Sequence, residues 1–237
     1  MHWIKQFQLF LFDFDGLLVD TEYLHYQAYI EMCARRGFQL NWSYPRYSNA
    51  AHHDSNALRD QIYAEFPDLN LQEPDWSVLY EEKREILHSL LERGIVPLIP
   101  GVANLLIALQ KENIRRCVVT HSSIQLVNRI RNQNPLLNTI PHWITREDYF
   151  LPKPHPECYQ YAIKKLGQPN DQIIGFEDSP RGLNALLGTI ATPVLVCPPN
   201  SGYLNETLRA YPQVRHYPDF NAIQDDNAPI AINQSLL

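Results

Sequence analysis

The chain has 237 residues, 45% hydrophobic and 19% charged, with a formal net charge of −6 and a pI near 5.8. That balance excludes a disordered or fibrous chain, and its scattered Lys and Arg leave no basic footprint for nucleic acid or an anionic membrane surface. The length suits one larger domain, or a core domain carrying a smaller insert.

The first element is the apolar run "QLFLF" (8–12), which reads as a buried strand and breaks off into "DFDGLLVDTE". The N-terminus lacks the basic stretch, long apolar segment and small-residue cleavage site of a signal peptide, so the cytoplasm is the expected compartment. From residue 20 to 95 no strand pattern occurs. Instead "TEYLHYQAYIEMCARRG", "DSNALRDQIYAEF" and "DWSVLYEEKREILHSLLERG" read as helices of an all-helical insert, with "NWSYPRYSNAAHHD" as a loop inside it and Asp20 as cap of the first helix. The pair His52-His53 with Asp54 reads as part of this polar loop, because no further metal ligands stand at suitable spacing. Trp42, Tyr44 and Tyr47 suit either a surface or a core of the insert.

Beyond residue 96 short β-rich runs alternate with helical patterns. The strands are "CVVT" (117–120), "HWIT" (142–145), "IIGFE" (173–177) and "PVLVC" (193–197). Helices follow Pro100-Gly101, open on the serines at 122–123, end on Gly167 and start behind Ser179-Pro180. Alternation of this kind predicts an α/β fold with a Rossmann-like parallel sheet flanked by helices, built from 1–19 and 96–237. After residue 198 a helix is expected in "GYLNETLRAY", and the tail "DDNAPIAINQSLL" is expected to be loosely held. Cys33, Cys117, Cys158 and Cys197 stand far apart and form no C-x-x-C pair, which reads as free thiols.

In open α/β sheets ligands bind beyond the carboxyl ends of the strands. The polar residues directly after the apolar runs therefore form the candidate site: Asp13 and Asp15, Thr120, Lys153, Glu177 and Asp178. Four acids, a hydroxyl and an ammonium make a hard-oxygen cage suited to Mg²⁺. In such a site one carboxylate can attack phosphorus, and a second two residues on can serve the leaving oxygen as acid and then water as base. The ammonium would balance the phosphoryl charge, while a hydroxyl and backbone N–H groups hold the phosphate.

"DFDGLLVDTE", "VVTHSS", "KPHPECY" and "GFEDSPRG", in this order, resemble the four signature motifs of the haloacid dehalogenase (HAD) superfamily, in its β-phosphoglucomutase-like branch. The resemblance runs to about residue 198 and puts the helical insert at the position of that branch's cap. It implies Asp13 as nucleophile, Asp15 as general acid/base, and Thr120 and Lys153 as phosphate ligands. It further implies Mg²⁺ on Asp13, Asp178 and the backbone carbonyl of Asp15, with Glu177 at or near the ion. Thr21, His25, His121 and Ser122 are the candidate substrate-binding residues; His121 departs from the small residue common at its position. The superfamily's dehalogenases lack the second aspartate, so Asp15 points to phosphoryl chemistry.

Related sugar-phosphate mutases carry a lysine-glycine and a serine-arginine pair in the cap loop. The stretch from Tyr47 to Asp54 has no such lysine, glycine or arginine. The reading is therefore a Mg²⁺-dependent phosphatase acting on a small phosphorylated metabolite, with a monomer as the simplest expectation. A β-phosphoglucomutase-like mutase and a non-catalytic HAD-fold binding protein are the alternatives.

Overall fold

The structure, a computed structural model, describes residues 1–53 and 56–225. Asp54 and all but the first residue of the tail that was expected to be loose lie outside the described residues. Contacts divide the chain into an α/β unit (Met1–Asp20, Pro97–Asn200 and the residues from Leu204 onward) and a helical unit (Thr21–Val96 with Ser201–Tyr203).

The α/β unit holds a six-stranded, all-parallel sheet among the described residues: β1 Leu9–Phe12, β2 Arg115–Val119, β3 His142–Ile144, β4 Ile173–Glu177, β5 Thr192–Val196 and β6 Arg215–Tyr217. Their order is β3-β2-β1-β4-β5-β6, so the connections run one way from β1 and the other way from β4. This reversal places the binding crevice at the carboxyl ends of β1 and β4. Helices α6 (Val102–Lys111), α7 (Ile124–Gln133), α8 (Glu157–Leu166), α9 (Pro180–Leu187), α10 (Leu204–Ala210) and α11 (Phe220–Asp225) belong to the same unit. The caps at Ser123 and Ser179 form as their sequence context requires: each side chain accepts from the backbone N–H three residues on.

Strand periodicity sorts β1 and β4 into two faces. Leu9, Leu11, Cys117, Val119 and Ile173 pack on Tyr159 and Ala162 of α8 and on Ala185 and Leu186 of α9. Phe10, Phe12 and Phe176 stack on the other face, with centroids of Phe12 and Phe176 5.3 Å apart, and Phe220 of α11 closes over them. Burying each phenylalanine contributes about 1.5–3 kcal/mol.

The helical unit contains α1 (Glu22–Arg35), α2 (Tyr44–His53), α3 (Ala57–Glu65), α4 (Pro67–Gln72) and α5 (Trp76–Glu92). Tyr29 of α1 stacks on Trp76 of α5 at 6.3 Å, and Arg36 donates to Glu82 of α5. Here the structure corrects the expected loop at 41–54, since residues 44–53 form α2. Pro45 falls in its first turn, where a missing N–H costs nothing, and Tyr47 and Ala50 bury one face. Trp42 and Tyr47 are core residues, while Tyr44 stays exposed. A second correction concerns Asp20: the cap position of α1 is Thr21, because Asp20 is drawn back toward Pro97, whose carbonyl accepts its N–H at 3.0 Å. The segments joining the two units pair with each other, Val19 bridging Leu98 and Ile99 donating to Leu18 at 3.0 Å.

Strand β6, α4 and α11 were not expected. β6 is a three-residue edge strand of Arg, His and Tyr, too short and polar to give an apolar signal.

Gly101 sits ahead of α6 with φ +86°, and a Cβ there would lie 2.4 Å from the backbone N of Asn221. Gly101→Ala is expected to lower stability by about 1–3 kcal/mol in urea unfolding, with the slope unchanged.

Candidate active site

Register brings the candidate acids together. Phe12 pairs with Phe176 and with Val118, so the next residues, Asp13, Glu177 and Val119, stand side by side at the sheet's carboxyl edge. Asp13 extends the ladder by one bond, its N–H reaching Phe176 O at 3.0 Å. Glu177 is in phase with Ile173 and Gly175, so it points to the face covered by α8 and α9 and is only 1% exposed.

A buried carboxylate needs partners, and Glu177 has them. Tyr159 of α8 donates its hydroxyl to Oε1, and Lys153 donates to the same oxygen at 2.7 Å. A Cβ at Gly182 would fall 1.8 Å from Glu177 Oε2, so α9 can approach only with glycine there.

Lys153 is the hub. Its Nζ, in a side chain only 7% exposed, donates to Asp13 Oδ1 at 2.5 Å, to Glu177 Oε1 at 2.7 Å and to Val119 O at 2.9 Å. Burial by itself would strip its proton, but Asp13 and then Glu177 outweigh that and hold the ammonium charged. Burial also pushes the Asp13 carboxyl up from 3.8 to about 7; Lys153 pulls it back, and Glu177 and Asp15 push it up again. One ammonium thus faces more negative charge than it balances.

Asp15 is held separately. Ser122 donates its hydroxyl to Asp15 Oδ2 at 2.5 Å, and Thr120 Oγ1 lies 3.5 Å from the same oxygen. Thr120 stands just past β2, where its N–H bonds Ile144 O and its hydroxyl accepts from Ser122 N at 2.9 Å. The expected strand at "CVVT" therefore ends one residue early and turns, aiming two hydroxyls at Asp15. Next to it, His121 Nδ1 lies 2.9 Å from the Tyr149 hydroxyl, which also donates to Thr120 O at 3.1 Å.

One oxygen each of Asp13, Glu177 and Asp178 lies within 4.8 Å of the others. Carboxylate oxygens in excess of the local positive charge are donors that suit Mg²⁺, so the residues present fit the ion. A cavity of about 310 Å³ opens at the opposite edge of the sheet; its lining, which includes Lys5, Glu112 and Arg115, holds none of the candidate residues.

Eight of the ten candidate residues, namely Asp13, Asp15, Thr120, His121, Ser122, Lys153, Glu177 and Asp178, lie in the α/β unit. Thr21 and His25 belong to the helical unit, where Thr21 is buried and His25 Nδ1 lies 2.6 Å from Lys83 Nζ. His52, on α2, meets Glu22 at 3.1 Å. Sequence reasoning missed Tyr159, Tyr149 and Lys83. Tyr159 had one available signal: a polar-tipped aromatic on the buried face of a helix directly behind the Lys153 loop needs a buried partner.

Comparison with known proteins gives a match to the family model described as haloacid dehalogenase-like hydrolase over residues 10–187. The chain is 28% identical over 186 residues to protein CbbY of Cereibacter sphaeroides, covering 75% of this chain and 79% of that one. It is 24% identical to hexitol phosphatase B of Escherichia coli K12, covering 76% and 79%. A crystal structure of a CbbY variant from Rhodobacter sphaeroides in complex with xylulose-(1,5)bisphosphate superposes with a TM-score of 0.70 at 23% identity, covering 90% of this chain and 95% of that one. At that identity the likeness is one of fold.

Replacing Lys153 by Met should destabilise the protein by about 3–5 kcal/mol near neutral pH, because two buried carboxylates lose their counter-charge. Asp13 already binds its proton more tightly folded than unfolded, so its contribution to stability is greatest below its unfolded pKa of 3.8 and is lost as pH rises through about 7. Without the ammonium that loss deepens. Urea unfolding at about pH 5 and about pH 8 should show the gap between variant and parent widening with pH.

Proposed function

Because the chain belongs to the haloacid dehalogenase-like hydrolase family, we propose that it is a Mg²⁺-dependent phosphatase that cleaves a small phosphomonoester through an aspartyl-phosphate on Asp13. The observation that carries this reading is the separation of two neighbouring acids: Asp13 is bonded to the buried Lys153 ammonium, while Asp15 is bonded to the Ser122 hydroxyl. A carboxylate kept beside a cation is suited to attack, and one held by a neutral donor is free to exchange a proton.

In this reading one oxygen of Asp13 bonds to phosphorus while the bond from phosphorus to the ester oxygen breaks. Asp15 gives its proton to that departing oxygen. It then takes a proton from the water that attacks the phosphorus of the aspartyl-phosphate, which returns Asp13 and releases inorganic phosphate. Lys153 offsets charge on the phosphoryl oxygens, and the Thr120 hydroxyl with the backbone N–H groups after β1 and β2 orients them. Asp13, Asp178 and the Asp15 carbonyl would hold Mg²⁺, with Glu177 beside them; bound there, the ion would draw negative charge from the phosphoryl group. Thr21, His25, His121 and Ser122 are the proposed substrate contacts.

Hexitol phosphatase B, by its name, and CbbY, by its bisphosphate complex, support a small phosphorylated metabolite as substrate. Among the described residues no helix is long and apolar enough to cross a membrane. Four buried free thiols fit the cytoplasm, where this reading places a monomeric enzyme.

Asp13→Asn and Asp15→Asn should each reduce turnover of p-nitrophenyl phosphate by about 100-fold or more, and chelation of Mg²⁺ should stop the parent enzyme. Asp13→Asn retaining near-parental turnover would remove the covalent route.

A further inference from the structure

A third group meets Lys153 besides the two acids. Tyr159 is the third residue of α8 and shares with Ala162 the helix face that packs against β1 and β2. That face brings its ring to the ammonium, with Nζ 4.8 Å from the ring centroid, and its hydroxyl to Glu177 Oε1. The side chain is fully buried, so bulk water does not replace the hydroxyl as a donor.

Proton counting gives that hydroxyl a role. An ammonium carries three protons. Around Nζ lie Asp13 Oδ1 at 2.5 Å, Glu177 Oε1 at 2.7 Å, Val119 O at 2.9 Å and the Tyr159 hydroxyl at 3.2 Å. The three nearest oxygens take the three protons. The phenol therefore acts as a donor, and its single proton goes to Glu177 Oε1, the oxygen that Lys153 also serves. Asp13 and Glu177 compete for one ammonium, and the phenol proton meets part of the demand of Glu177 alone. Without it, Glu177 Oε1 would draw Lys153 closer, because a buried carboxylate oxygen that has lost a donor is costly, and the bond from Lys153 to Asp13 would weaken.

We propose that Tyr159 is a positioning residue for phosphoryl transfer: its hydroxyl holds Glu177 back from Lys153 and so keeps the ammonium seated on Asp13, where charge develops on the phosphoryl group. This rests on the phosphatase reading and adds to it a residue that acts through Glu177 and Lys153 rather than on the substrate.

The test is Tyr159→Phe, which keeps the ring and its packing and removes only the hydroxyl. With Mg²⁺ and p-nitrophenyl phosphate, kcat should fall about tenfold, as for a lost hydrogen bond to a charged group. KM, and the Kd for Mg²⁺ by isothermal titration calorimetry, should each stay within about twofold of the parent, because the substrate and the ion keep their own ligands. Ala162→Gly, one turn along the same buried face, loosens α8 without removing a polar contact, and its kcat should remain parental. A Tyr159→Phe kcat within about twofold of the parent, an equal loss in Ala162→Gly, or a loss carried by KM or by Mg²⁺ affinity overturns the positioning role and leaves the phosphatase reading intact. So does a Tyr159→Phe protein that fails to fold, since the hydroxyl would then be structural. Absence of turnover in the parent overturns the phosphatase reading and the positioning role with it.

Discussion

A lysine ammonium with almost no access to water has to be matched by carboxylate charge, and at the carboxyl edge of this sheet Lys153 is matched twice, by Asp13 and by Glu177. Three segments far apart in the chain must arrive together for this to happen: the end of β1, the loop before α8 and the end of β4. If one partner is missing, an uncompensated buried charge remains, at a cost of about 3–5 kcal/mol. The arrangement therefore makes the site and the fold interdependent. The sheet does not merely carry the acids; its correct register is a condition for their being tolerable at all.

The packing behind the site serves this interaction. Phenylalanines on one face of β1 and β4 fix the strands side by side, so that the opposite face can present Asp13 and Glu177 in phase. Tyr159 and Gly182 then fit α8 and α9 around Glu177, one as donor and the other by lacking a side chain. With Glu177 and Lys153 locked, Asp13 stands beside a charge that cannot move away, whereas Asp15 depends on Ser122 and remains half-exposed. Different environments given to two acids two residues apart are what allow one to act as nucleophile and the other as proton carrier in the proposed reaction.

Much of this was legible in the chain. The apolar runs at 8–12, 117–120, 142–145, 173–177 and 193–197 each mark a parallel strand, because buried parallel strands need continuous apolar runs. The polar residues behind them mark the edge where ligands bind. What was not legible depended on tertiary context. The polar stretch 41–54 reads as a loop, whereas residues 44–53 form α2 with Pro45 in its first turn, and β6 has too little apolar content to signal a strand. The pairing of Lys83 with His25, and of Tyr149 with His121, joins residues 58 and 28 positions apart, and no local pattern encodes either.

The account turns on Asp13 being a carboxylate held ready beside Lys153 to take a phosphoryl group. Mixing the Mg²⁺-loaded protein with p-nitrophenyl phosphate, reducing it with borohydride and sequencing its peptides by mass spectrometry addresses this directly, since reduction of an acyl phosphate converts that aspartate to homoserine. Conversion at residue 13, dependent on substrate, is the result predicted. Steady turnover with the modification at another acid, or with none, would contradict it.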